Sequence, residues 1–153
     1  MNNLRYAFRT MADTDRNYIL KSWNRTSRDS MEHIDASTYY RQSNPLFNSI
    51  LDRFGAIIAC NPDDPDQIYA FAVAAYLPED EWVMFWIQTK QIYEGLGIGK
   101  SLFNLIKGNR PKGPICPFVR PKSKPHILKY DGIEAPLMLG KILEMPAIQQ
   151  VEI

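Results

Sequence analysis

Three apolar runs lie close together in the middle of the chain: AIIAC at 56–60, IYAFAVAAYL at 68–77 and WVMFWIQT at 82–89. Only NPDDPDQ and PEDE separate them. Each run is rich in aromatic and β-branched residues, which suit a pleated, buried surface, and each separator carries the proline and acidic residues that turns favour. This pattern predicts a three-strand meander, and the rest of the chain has to pack on it. Ahead of it, LRYAFRT alternates Leu4, Tyr6 and Phe8 with Arg5, Ala7 and Arg9, the pattern of a strand with one buried face. A helix comes next in TMADTDRNYILKSWNRT, capped at Thr10 or Asp13, with Tyr18, Ile19 and Trp23 at helical spacing. DASTYYRQSNPLFNSILDRFG reads as a second helical region, interrupted or restarted near Pro45 and stopped by Gly55.

After the meander, KSLFNLIKG is a helix ending near Gly108. The proline-rich stretch 109–130 offers only ICPFV as a strand, and APLMLGKILEMPAIQQVEI predicts a short helix and a final strand. A chain of 153 residues, 45% hydrophobic and 23% charged, holds enough apolar material for one domain spanning 1–153. Eighteen basic residues against 17 acidic ones create no global field, so charged partners have to be sought in local clusters. No run approaches the roughly 20 apolar residues that span a bilayer. Cys60 and Cys116 form no CxxC motif, and no secretory segment is read in MNNLRYAFRT, so a reduced, cytosolic protein is expected. His33 and His126 stand at no ligand spacing from a cysteine, and no metal site is expected.

The stretch YEGLGIGKSLF, 93–103, places Gly95, Gly97 and Gly99 just before a helix. A P-loop, GxxxxGK[ST], would need glycine at position 94, which is Glu94. A dinucleotide fingerprint, GxGxxG, would need glycine at 100 or 102, which are Lys100 and Leu102. A third design aims the orphan N–H groups and positive end of a helix at a pyrophosphate, with glycines allowing close approach. In this design YEGLGIGKSLF resembles the acyl-CoA pyrophosphate loop of the GNAT superfamily of N-acetyltransferases. That signature reads Gln or Arg, two residues, Gly, one residue, then Gly or Ala. Gly97, Ile98 and Gly99 match its end, and Glu94 departs from its first position. A carboxylate there is expected to weaken CoA binding by about 1–2 kcal/mol.

The resemblance covers about residues 4–108 and implies an α/β fold, GNAT-like, with a mixed, mainly antiparallel sheet of six or seven strands flanked by helices. It implies acetyl-CoA as cosubstrate, held by Glu94, Gly95, Leu96, Gly97, Ile98, Gly99, Lys100 and Ser101. Trp82 to Thr89 becomes the strand that splays from its neighbour, with Ile87, Gln88 and Thr89 offering main-chain groups to the pantetheine arm and Gln88 or Thr89 the oxyanion donor. Tyr130 is the nearest candidate for the acid that protonates the leaving thiolate. Trp23, Tyr39 and Tyr40 fall in the region that forms the acceptor mouth, although aromatic residues there serve the core first. SWNRTSRDS and TYYRQSNPLFNSIL also resemble short acetyltransferase-like proteins encoded in bacteriophage genomes.

Acyl transfer to an amine needs a base, a stabilised oxyanion and a protonated leaving group. Glu81, in the PEDE turn, is the candidate base, although such an acidic run is more often a solvated turn. Cys116 has no neighbour to lower its pKa and reads as a small core residue. From Lys107 to Lys129 there are seven basic residues, Lys107, Arg110, Lys112, Arg120, Lys122, Lys124 and Lys129, and no acidic one. Such a segment suits the adenosine phosphate of CoA, a nucleic acid or an acidic protein, or is simply a solvated loop. Two functions are consistent with these residues: an acyl-CoA-dependent N-acyltransferase with an unknown amine acceptor, or a catalytically inactive member of the fold that serves as a structural or binding component.

Overall fold

The computed structural model describes residues 4–28, 34–118, 133–134, 138–145 and 148–153. Its sheet runs β1 (Ala7–Thr10), β2 (Ile57–Asn61), β3 (Asp64–Tyr76), β4 (Trp82–Thr89), β5 (Ile115–Cys116) and β6 (Ile133–Glu134), in that order across the sheet. A seventh strand, β7 (Gln149–Gln150), pairs with Tyr76 and Ala75 of β3, beyond Ile57 at the start of β2. Pairings β1–β2, β2–β3, β3–β4 and β3–β7 are antiparallel, whereas β4–β5 and β5–β6 are parallel. The three apolar runs thus form the expected meander at the centre of a mixed, mainly antiparallel sheet.

Helices α1 (Arg16–Arg28) and α2 (Ala36–Phe54) cover one face, and α3 (Ile98–Lys107) covers the other. The alternation of β3 sorts the two cores. Phe71, Val73 and Ala75 point to α1 and α2, while Ala70, Ala72 and Ala74 point to α3. The small side chains on the α3 face leave room for Leu102, Phe103 and Ile106 to sit directly on the sheet. On the opposite face Trp23 of α1 stacks on Phe47 of α2 with centroids 3.9 Å apart, and both are buried. Burial of each large side chain of this kind contributes about 1.5–3 kcal/mol.

Two expectations are corrected. The second helix does not break at Pro45; α2 is continuous from Ala36 to Phe54. Proline removes the N–H that would bond to the carbonyl of Arg41, but both residues lie on the exposed side of the helix, where water can take that carbonyl. Tyr39 and Ser43 before the proline, with Phe47, Ile50 and Leu51 after it, are buried and hold both halves to the core. The first helix is not capped by Thr10 or Asp13: Asp15 turns back, its Oδ2 accepting the Ala12 N–H at 2.8 Å, and a short 3₁₀ turn, Asp13–Asp15, leads into α1. The PEDE corner is a tight hairpin in which Glu79 and Asp80 take positive φ angles of 63° and 59°. The Leu77 N–H closes it on the Glu81 carbonyl at 2.9 Å.

Candidate functional site

The glycine loop lies between the end of β4 and the start of α3. A short 3₁₀ turn, Gln91–Tyr93, comes after β4, and Gly95 and Gly97 both adopt φ of +81°. Gly97, with ψ of 4°, stands at the left-handed position that starts α3, where an ordinary side chain is strained. No side chain caps this end, and the first intrahelical bond runs from the Ser101 N–H to the Gly97 carbonyl at 3.0 Å. The N–H groups of Ile98, Gly99 and Lys100 therefore belong to the unpartnered first turn, where helix geometry concentrates partial positive charge.

These groups open onto a cleft of about 380 Å³. Ile87, Gln88 and Thr89 from β4 line it, together with Glu94, Gly95, Gly97, Ile98, Gly99 and Lys100 from the loop and helix. Nine of the residues expected to bind the cosubstrate are thus brought together. Two are not in the lining. Leu96 packs against the α3-side core, and the Ser101 hydroxyl is held by the Tyr6 hydroxyl of the β1 flank at 2.7 Å. Tyr93 also lines the cleft, outside the expected set. Its phenol accepts from Gln67 Nε2 at 2.8 Å, Gln67 in turn accepts from Asn61 Nδ2 at 2.9 Å, and its ring lies 4.4 Å from that of Tyr69. Polar residues of the β2–β3 hairpin thereby pin the loop, and only their spatial meeting, 26 positions apart, reveals it.

The glycine at 99 has a different role. A Cβ there would stand 3.0 Å from Thr89 Oγ1, so its absence lets α3 approach the end of β4. Among the described residues, β4 and β5 pair in register at Val83↔Ile115, at the end of β4 away from the cleft. Against β3, β4 carries a bulge: Trp86 pairs with Val73 and Met84 with Ala74, leaving Phe85 as the extra residue. Bulges bend a strand and re-aim the side chains beyond them. After Phe85, Trp86 and Gln88 share the face of α1 and α2, whereas Ile87 and Thr89 look toward α3.

Charge at the cleft is mixed, with Glu94 and Lys100 both on its lining. Lys90, at the strand exit, lies 4.7 Å from the Tyr18 ring centroid, and burial raises the Tyr18 phenol above its ordinary value despite a hydrogen bond from Ser22 and the nearby Arg25. Burial likewise raises the Tyr69 phenol, with Tyr93 adding to it.

The remaining candidates lie elsewhere. Glu81 is at the opposite end of β4, about 23 Å from Gln88 at an ordinary strand rise, and its carboxylate is 3.6 Å from Lys112 Nζ. The structure does not bring it to the cleft. Tyr130, His33 and His126 fall outside the described residues, as do Arg120, Lys122, Lys124 and Lys129. Of the basic segment's described members, Lys112 faces Glu81 and the Arg110 guanidinium lies 3.4 Å from the Tyr76 ring centroid. Trp23 and Tyr39 are buried in the core and Tyr40 is partly exposed. Cys60 and Cys116 are both buried.

No family model matches the chain, and no curated protein matches it. Among solved structures it is similar to a candidate acetyl transferase from Pyrococcus furiosus, with 16% sequence identity, a TM-score of 0.57, and coverage of 86% of this chain and 94% of that one. A transcriptional regulator from Bacillus halodurans C-125 aligns over 82% of this chain and 89% of its own, with 18% identity and a TM-score of 0.45. The first of these likenesses, with the strand order above, shows an acetyltransferase-like α/β fold. No helix among the described residues is long and apolar enough to cross a membrane.

Proposed function

We propose that the protein is an acyl-CoA-dependent N-acyltransferase that transfers an acetyl group to an amine. The observation that carries this reading is the open cleft at the uncapped start of α3, lined on its other side by Ile87, Gln88 and Thr89 at the end of β4. In this reading the N–H groups of Ile98, Gly99 and Lys100 hold the CoA pyrophosphate, and the main chain of Ile87, Gln88 and Thr89 lies along the pantetheine arm. The acceptor nitrogen attacks the thioester carbonyl, a main-chain N–H at Gln88 or Thr89 stabilises the oxyanion, and the C–S bond then breaks. Tyr130 is proposed to give its proton to the departing sulfur, and the proton that the amine loses passes to solvent, from which the tyrosine is reprotonated.

Acetyl-CoA should raise the melting temperature by mass action; saturation at a hundred times Kd contributes about 2.7 kcal/mol, or roughly 5–10 °C for a chain of this size. Absence of any shift at millimolar acetyl-CoA overturns the proposal. Glu94→Arg should tighten CoA by about tenfold, by removing a like charge from the pyrophosphate's surroundings.

A second reading is a non-catalytic member of the same fold acting as a structural or binding component, of the kind that phage genomes encode. Glu94 at the cleft and the remoteness of Glu81 favour it. CoA binding without release of free thiol from acetyl-CoA, across a panel of small amines, peptides and nucleic acids, would decide for it.

A further inference from the structure

We infer that Gln88 reads a carbonyl oxygen of the ligand's arm through its side-chain amide, and that Trp86 fixes the amide for this task. The inference rests on the acyl-CoA reading of the cleft. Trp86 is 1% exposed, and its indole lies 6.3 Å from that of Trp23 in a stacked arrangement, so the ring cannot swing. Its Nε1 is 3.0 Å from Gln88 Oε1. An indole nitrogen can only donate, so the atom it meets must be the amide oxygen, and the orientation of the glutamine is settled by chemistry. The Nε2 group is therefore turned away from Trp86, with two N–H donors on a residue that lines the cleft. The bulge at Phe85 decides on which side of the sheet this pair stands: it turns Trp86, and with it Gln88 two residues on, to the face of α1 and α2.

A donor held in this way discriminates by need. A ligand that offers a carbonyl oxygen satisfies it, and one that offers only phosphate oxygens at the helix end leaves it in water. Pantetheine carries two amide carbonyls and, when acylated, a thioester carbonyl, whereas ADP keeps the pyrophosphate and lacks the arm. The arm-bearing ligand is the class that Gln88 selects.

Calorimetric titration of CoA and of ADP into the intact chain and its Gln88→Leu, Gln88→Glu and Trp86→Phe variants tests this. Gln88→Leu should weaken CoA about five- to tenfold and leave ADP unchanged. Gln88→Glu keeps an oxygen for Trp86 but removes the donor; the ratio of CoA to ADP affinity should fall as far as in Gln88→Leu, whatever the added charge does to both ligands. Trp86→Phe, which frees the amide to rotate, should lower the same ratio by a smaller factor. Should Trp86→Phe fail to fold, the two Gln88 variants decide alone. Equal losses of CoA and ADP, or unchanged CoA affinity in Gln88→Leu, overturn the inference and leave the transferase reading standing. If the unaltered chain binds no CoA, both fall.

Discussion

Gly97→Ala isolates the conformational demand of the loop from every other effect. Gly97 sits at φ +81°, ψ 4°, and an added Cβ would meet nothing within 4 Å, so neither clash nor cavity contributes. An L-residue in the left-handed region costs about 1–2 kcal/mol. The unfolded alanine chain is less free than the glycine chain, which returns roughly 0.4–1 kcal/mol. The net loss is about 1 kcal/mol, a fall of roughly 2–4 °C in melting temperature for a chain of this length. Gly97→Asn should lose less, because asparagine tolerates this region better than alanine. Urea melts provide the check: the midpoint should fall while the slope stays constant, since no change in exposed surface is involved. The methyl projects into open space beside the uncapped N–H groups, so CoA affinity should fall by more than the stability loss accounts for. An unchanged midpoint in Gly97→Ala would refute the assigned backbone conformation, and a loss above about 3 kcal/mol would show that the position is packed rather than open.

Two further substitutions probe the surroundings of the cleft. Gly99→Ala places a methyl 3.0 Å from Thr89 Oγ1, so the variant should be destabilised although alanine is the better helix former by about 1 kcal/mol. Thr89→Ala should rescue it, and a double-mutant cycle in thermal melts with no coupling would refute the contact. At the other side of the sheet, Arg9 clamps Asp15 through two bonds of 2.6 and 3.0 Å, and this pairing, foremost, holds the Asp15 carboxyl below its ordinary value of 3.8. A carboxyl lowered in the folded state contributes stability above its unfolded value, and that contribution is lost as pH falls through the folded value. Asp15→Asn should therefore cost about 2–3 kcal/mol at neutral pH and flatten the stability profile below about pH 4; a profile parallel to the parent's would remove Asp15 from the acid response.

How far the sequence discloses such a molecule depends on whether the signal is local. The meander is legible because 56–60, 68–77 and 82–89 are apolar enough, and their separators turn-prone enough, that no other element fits them. Gly95 and Gly97 are legible for the same reason: positive φ is a demand on one residue at a time. Pro45 misleads because its penalty is local while the forces that overrule it, the burial of Tyr39 and Phe47 on the same helix, are tertiary. The bulge at Phe85 leaves no mark in WVMFWIQT at all, for every residue there is compatible with a regular strand, and the extra residue exists only relative to β3. That unmarked residue has the largest consequence for the site. In a regular strand Thr89 would share a face with Phe85, and Gln88 would fall on the opposite one. Counting the bulge reverses the relation, so Gln88 joins Trp86 on the face of α1 and α2 while Thr89 turns to Gly99. Parity along β4, set by a neighbour and not by its own residues, decides that Gln88 stands beside Trp86 and that Thr89 stands beside the helix.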